Sequence, residues 1–189
     1  MAQALIREAK PEDALAIARV HVDSWRTSYR GIVPDGFLAS LSYEDFEQRW
    51  RERLGRARDP RPPRYVAESP PSGRIVGFAA GGLRREPAYD EYPEYEGELF
   101  ALYLLREHQR EGIGRRLLGS VATGLAQGGS QRMITWVLAR SPSRGFYEVV
   151  GGVLLGSEEI EIGGARLDEV AYSWADVRAL SGFLAADSP

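Results

Sequence analysis

Leu102-Tyr103-Leu104-Leu105-Arg106-Glu107-His108-Gln109-Arg110-Glu111-Gly112-Ile113-Gly114-Arg115-Arg116-Leu117-Leu118 is the stretch on which the fold turns. It reads as a buried strand that runs into a polar turn and then into a helix opening on glycines. The helix extends from Gly112 to about Gln127, because Ile113, Leu117, Val121 and Leu125 recur every fourth residue and share one face. The first N–H groups of a helix have no partner inside it, and the dipole is positive there. Such an end binds phosphate readily. Gly112 and Gly114 keep side chains out of the way, while Arg110 and Arg115 add charge and hydrogen bonds. Two readings stay open: plain turn chemistry, or a pyrophosphate cradle. The order strand, turn, amphipathic helix is the one the cradle requires. The stretch is not a Walker A loop, since no Gly-Lys-Ser/Thr follows. It also lacks the three-glycine dinucleotide fingerprint and comes too late to open a Rossmann unit.

Upstream, Leu5 to Glu8 is a short strand, and Pro11-Glu12-Asp13 suits the first turn of a helix. Leu15, Ala18, Val22, Trp25 and Tyr29 follow at helical spacing as its buried stripe, and Gly31 and Pro34 stop it. A second helix runs from about Ser42 to Leu54, with Ser42 as N-cap and Asp45 three residues on. Residues 55–64 form an Arg- and Pro-rich linker. Strands are expected at Tyr65 to Glu68, Ile75 to Ala80 and, most strongly, Glu98 to Leu105, with an acidic, tyrosine-rich loop from Arg84 to Gly97 between the last two. Downstream come a strand from Arg132 to Leu138 and a short helix from Pro142 to Val150. Val153 to Ile162 and Arg166 to Trp174 flank Gly163-Gly164, a strong hairpin signal. The tail, residues 175–189, reads as an extra helix or surface segment. Strands mixed with single helices and ending in a hairpin predict a mixed α/β (α+β) sheet domain.

The 189 residues fit one domain, 1–189, with its core over about residues 4–174. The absence of cysteine excludes disulfides, thiolate metal sites and cysteine nucleophiles, and only His21 and His108 are on hand for a histidine metal site, so no metal is expected. A net charge of −3 argues against a broad nucleic-acid surface. No apolar run approaches the ~20 residues of a membrane helix, and Met1 to Lys10 lacks the layout of a signal peptide. A soluble cytoplasmic protein is the expectation.

At Gln109-Arg110-Glu111-Gly112-Ile113-Gly114 the chain resembles the GNAT superfamily of N-acyltransferases, whose motif is Q/R-x-x-G-x-G/A. A second block, Ser141-Pro142-Ser143-Arg144-Gly145-Phe146-Tyr147-Glu148 followed by Gly151-Gly152, is similar to the family's N-P-x-x-x-F-Y-E-x-x-G-G segment. The order of elements fits over nearly the whole chain. The resemblance implies a central, mostly antiparallel mixed sheet with helices on both faces and two parallel strands that splay apart near Leu104. It implies acetyl-CoA as cosubstrate. The strand at Leu102, Tyr103 and Leu104 would pair with the pantetheine arm, and Gln109, Arg110, Glu111, Gly112, Ile113, Gly114 and Arg115 would hold the pyrophosphate. Ser141 stands where the family often has a cofactor-contacting Asn, which implies a weaker or water-mediated contact here.

Acetyl transfer to an amine needs a base, because an alkylamine with pKa ~10.4 is mostly protonated at neutral pH. Glu98 opens the strand that runs to the thioester and is the candidate. On an ideal strand it shares a face with Phe100, Leu102 and Leu104. A solvated strand-end glutamate is the alternative. Tyr147, at the matched family position, is the candidate acid for the departing thiolate, and Phe146 beside it reads as core. A backbone N–H near Leu104 would hold the oxyanion. With no cysteine and no Gly-x-Ser-x-Gly elbow, direct attack in a ternary complex is expected. On the acceptor side, residues 86–98 place carboxylates between tyrosines, which suits a cationic amine or a solvated loop. Trp25 and Tyr29 lie where the family walls the acceptor site, although their spacing of four also suits core packing. Tyr103 points opposite to its neighbours, into the core. The rival to an enzyme is an acyl-CoA-sensing module of the same fold. Exposed hairpin edges and the tail offer surfaces for a homodimer.

Overall fold

A computed structural model describes residues 3–56, 62–84 and 92–184. The strands are β1 (Leu5–Glu8), β2 (Arg64–Ser69), β3 (Arg74–Leu83), β4 (Gly97–Leu104), β5 (Met133–Leu138), β6 (Val153–Ile162) and β7 (Ala165–Trp174). The helices are α1 (Ala14–Ser28), α2 (Asp35–Ser40), α3 (Tyr43–Gly55), α4 (Ile113–Gln127) and α5 (Arg144–Val149), followed by a 3-10 segment, Val177–Leu184. The strands form one sheet in the order β1-β2-β3-β4-β5-β7-β6. Each neighbouring pair runs antiparallel except β4 and β5. This is the mixed, mostly antiparallel sheet that the family resemblance implies.

Each element follows from local chemistry. The inner face of α4 buries Ile113, Leu117, Val121 and Leu125, the four expected, together with Leu118 and Ala122. Ser42 caps α3 by accepting the Asp45 N–H at 3.2 Å. Gly163 and Gly164 both take positive φ, the backbone that a two-residue hairpin needs between β6 and β7. Gly119 lets the terminal segment close on α4, because a Cβ there would stand 2.9 Å from the Leu180 carbonyl. That segment is the expected extra helix of the tail, and it buries Val177 and Leu180.

Two expectations need correction. The expected buried stripe of α1 holds at Ala18, Val22 and Tyr29, with Trp25 partly buried, but fails at Leu15, which is 37% exposed, while Ala14, Ile17, Val20 and Ser24 are also buried. Ala14, not Leu15, fills the first inward position, so choosing the larger apolar side chain misplaces the first turn only. A short helix, α2, follows Pro34 where the sequence shows only a stop. Of the Arg- and Pro-rich linker, residues 57–61 lie outside the described residues; of the acidic loop, residues 85–91 do. No helix among the described residues is long and apolar enough to cross a membrane.

One side of the sheet carries α1 and α3. Between them and β3–β4 His21 is buried in an aromatic nest, 4.7 Å from the rings of Phe46 and Tyr103 and 5.3 Å from Phe78. Trp50 Nε1 donates to its Nδ1 at 3.4 Å. Burial, with Arg53 adding to it, pushes the imidazole down to about 3, so it is neutral. The other side carries α4. A second apolar cluster joins Tyr29, Val33, Leu38 and Leu138, with Phe37, Ile160 and Leu167 packed against it.

Candidate active site

β4 and β5 pair only at Gly97 with Met133 and Glu98 with Ile134. The Thr135 hydroxyl then donates to the Leu99 carbonyl at 2.9 Å. Beyond this point β4 continues to pair with β3 and β5 with β7, so the two parallel strands part. The parting expected near Leu104 begins further back, after Leu99. A bulge accompanies it: Ala80 opposes Ala101 and Gly81 opposes Leu99, which leaves Phe100 as the extra residue. A bulge bends its strand and shifts the alternation of faces by one. Glu98 therefore does not share a face with Leu102 and Leu104, contrary to the ideal-strand expectation.

The wedge opens into a groove of about 750 Å³. Its floor is Phe100 to Leu104 of β4. One wall is the entry to α4, with Gln109, Arg110, Gly112, Gly114 and Arg115. The opposite wall is α5 and its approach, with Pro142, Ser143, Phe146, Tyr147 and Val149. The far end is closed by Ser24, Ser28, Tyr29, Thr135, Trp136 and Val137.

At the α4 entry Arg110 and Gly112 both adopt left-handed backbone, φ 68° and 76°. For arginine this is uncommon and marks a shaped turn. The helix opens with Arg116 N donating to Gly112 O at 3.2 Å, and the amides before it belong to the first turn, which has no partner within the helix. A Cβ on Gly114 would stand 3.3 Å from the Phe146 ring, so glycine also permits α4 to approach α5. Open amides, a positive helix end and two arginines in the wall fit a pyrophosphate. Gln109 Nε2 and Ser24 Oγ each reach the Leu104 carbonyl at 3.4 Å.

Tyr147 lines the groove yet is only 7% exposed. Burial, reinforced by the nearby Tyr29 phenol, pushes its hydroxyl well above the ordinary value, against an opposing hydrogen bond with Thr135. The Thr135 proton goes to Leu99, so Tyr147 keeps its own and is the donor of that pair. Tyr29 is likewise 9% exposed and lines the far end. Trp25 Nε1 donates to Tyr103 Oη at 3.0 Å, and Tyr103 hydrogen-bonds to Tyr29. Trp25 thus stands behind the wall, and Tyr103 combines the expected core position with a place in the groove lining.

Other predicted residues sit elsewhere. Ile113 is buried in the core, and Glu111 lies 3.8 Å from His108. The buried Ser141 hydroxyl accepts the Ser143 N–H at 3.2 Å, capping the approach to α5. Glu98 lies at the closed seam of the wedge and interacts electrostatically with Glu169 on β7. Glu169 opposes Glu158 across the β6–β7 ladder and shares a hydrogen bond with it. Burial and that neighbour push the Glu169 carboxyl up to about 7. Sequence reasoning missed Ser24, Ser28, Thr135, Trp136 and Glu169, and it read Phe146 as core only. An apolar strand such as β5 carries no local mark of which residues border a wedge.

The family model described as FR47-like protein matches residues 76–160. The uncharacterized N-acetyltransferase YuaI of Bacillus subtilis is 42% identical over 179 residues, covering 95% of this chain and 97% of that protein. Among solved structures, the PaiA N-acetyltransferase of Thermoplasma acidophilum in complex with coenzyme A superposes with a TM-score of 0.68 at 18% identity, covering 92% of this chain and all of that one. YncA of Salmonella typhimurium, solved with its cofactor acetyl-CoA, superposes with a TM-score of 0.65 at 20% identity, covering 93% and 95%.

Proposed function

Because this chain belongs to the GNAT superfamily of N-acetyltransferases, we propose that it transfers the acetyl group of acetyl-CoA to a primary amine by direct attack in a ternary complex. The observation that carries the reading is the wedge between β4 and β5, which leads straight to the open helix end at Gly112. A diphosphate at that end, held by the amides around Gly112 to Arg115 and by Arg110 and Arg115, directs the rest of the molecule along Leu102 to Leu104. Those residues have no β5 partner and offer backbone groups to an extended arm, as an added strand would use them. Acetyl-CoA supplies the thioester.

Each residue then has a task. Glu98, directly or through a water, takes the proton from the attacking amine. A main-chain N–H of the bulged segment supports the negative charge that grows on the acyl oxygen. Tyr147 enters with its proton in place and donates it toward the departing sulfur. Tyr29 and Trp136 bound the space left for the acceptor, a small cationic amine or a peptide amine.

Incubating the protein with acetyl-CoA and a mixed amine panel, followed by mass spectrometry, tests the reading. Products 42 Da heavier together with free thiol are expected (roughly the mass of an added acetyl group, as direct acyl transfer requires). Tight cosubstrate binding with no acetylated product across the panel would instead favour an acyl-CoA sensor.

A further inference from the structure

Arg115 and Arg116 follow one another in the first turn of α4, and the fold treats them differently. Arg116 Nη1 donates to the Ala4 carbonyl at 2.7 Å, which ties it to the chain just before β1. Arg115 borders the groove. No carboxylate pairs with it among the described residues. Its guanidinium lies over the ring of Phe183, 5.8 Å from the ring centre. Phe183 belongs to the 3-10 segment Val177–Leu184, far from Arg115 in sequence.

That segment is held firmly enough to carry the ring. The Val177 N–H donates to the Gln131 carbonyl at 3.0 Å, and Val177 and Leu180 are buried. Phe183 packs, partly buried, against the main core. Gly119 stands one turn beyond Arg115 on the same side of α4. A Cβ there would stand 3.2 Å from the Phe183 Cβ and 2.9 Å from the Leu180 carbonyl. The missing side chain therefore lets the segment come close enough for the ring to meet Arg115.

A guanidinium is planar. An aromatic ring attracts its charge through the face, whereas its N–H donors leave from the edge. An arginine resting on a ring keeps those donors for an oxyanion, while an ion pair with a carboxylate would consume them. A side chain already held in place also loses less rotamer freedom when the ligand arrives. Resting on the reading above, in which Arg115 grips the coenzyme A pyrophosphate, we propose that Phe183 is a positioning residue for the cosubstrate. It holds the Arg115 guanidinium at the entry to α4, which makes the 3-10 segment part of the coenzyme A site. Phe183 acts through Arg115 alone and takes no part in the acyl transfer.

Calorimetric titration with coenzyme A tests this without turnover, with thermal melts to confirm folding. Phe183→Leu keeps apolar packing and removes the ring face. Its dissociation constant should rise about threefold, as a lost cation–π contact predicts. Phe183→Tyr keeps the ring and should bind like the unsubstituted protein. Arg115→Ala should bind at least about tenfold more weakly, and adding Phe183→Leu to it should change nothing further. Unchanged affinity in Phe183→Leu, or the same loss with and without Arg115, overturns the proposal, because the ring would then serve packing only. Undiminished affinity in Arg115→Ala would remove that arginine from the pyrophosphate site and the proposal with it. Conversely, the expected coupling of Phe183 with Arg115, found in a protein that acetylates no amine, would uphold this site and remove the transferase reading.

Discussion

Tyr147 shows how position decides what a side chain does. The same phenol in water would ionise near pH 10. Here burial raises that value, so the hydroxyl is a donor at any physiological pH. Tyr147→Phe keeps the ring contact with Tyr172, 5.8 Å between centroids, and removes only the proton. Turnover should fall about 10²-fold, within the range of a lost general acid. The dissociation constant for coenzyme A should change by less than about threefold. Steady-state thiol release and calorimetry check the two halves separately, and undiminished turnover would remove Tyr147 from the mechanism. The Phe-Tyr pair was legible as a motif, whereas Thr135, which orients the hydroxyl, was not. A lone threonine in an apolar strand looks like any β-branched filler until the strands part beside it.

Among the elements, the entry to α4 was readable residue by residue, because each glycine stands where a backbone rule demands one. Gly112 has φ 76°, which costs a residue with a Cβ ~1 kcal/mol or more. Gly112→Ala should weaken coenzyme A binding about tenfold and lower stability by ~1 kcal/mol. Gly112→Glu should abolish binding while the protein stays folded. Titration calorimetry beside thermal melts distinguishes the two effects. The bulge at Phe100 was not readable. Glu98, Phe100, Leu102 and Leu104 alternate as a regular strand would, and only the pairing with Ala80 and Gly81 reveals the extra residue. Leu117 is fully buried on the inner face of α4, so Leu117→Ala should cost about 2–5 kcal/mol, measured by denaturant melts.

Across the whole molecule, two titrating groups, His21 in its aromatic nest and the half-buried Glu169, pull stability in opposite directions. His21 is neutral in the fold, with its value lowered from 6.5 to about 3. The unfolded chain binds that proton first, so acid removes the His21 contribution from about pH 6.5 down to about pH 3. The slope is at most about 1.4 kcal/mol per pH unit. Glu169 is raised from 4.5 to about 7, so its contribution is complete below pH 4.5 and fades as the pH climbs to 7. Between pH 6.5 and 4.5 the two slopes oppose. The apo protein should therefore hold its Tm nearly level there and lose it steeply below. Glu169→Gln removes the counterweight, and its Tm should begin to fall already at pH 6.5. Calorimetric scans across pH 7.5 to 3.5 would show the difference, and identical profiles would refute it. The overall fold was legible because every strand and helix but α2 announces itself by period or punctuation. Glu98, Glu158 and Glu169 come together only through the order of β4, β5, β7 and β6, which no local pattern encodes.

The seam between β4 and β5, two residue pairs long, makes the molecule resemble a partly opened zipper. Each half keeps its own ladder, and the stitches between them gather at the closed end: Thr135 to Leu99, Gly97 to Arg132, and the Glu96 carboxylate accepting from Gln131 and Arg132. Amide protons lining the gap, at Leu102 to Leu104 and Trp136 to Val137, should then trade for deuterium quickly in the unliganded protein. A cosubstrate filling the gap would join the halves, and both sets of amides should slow together.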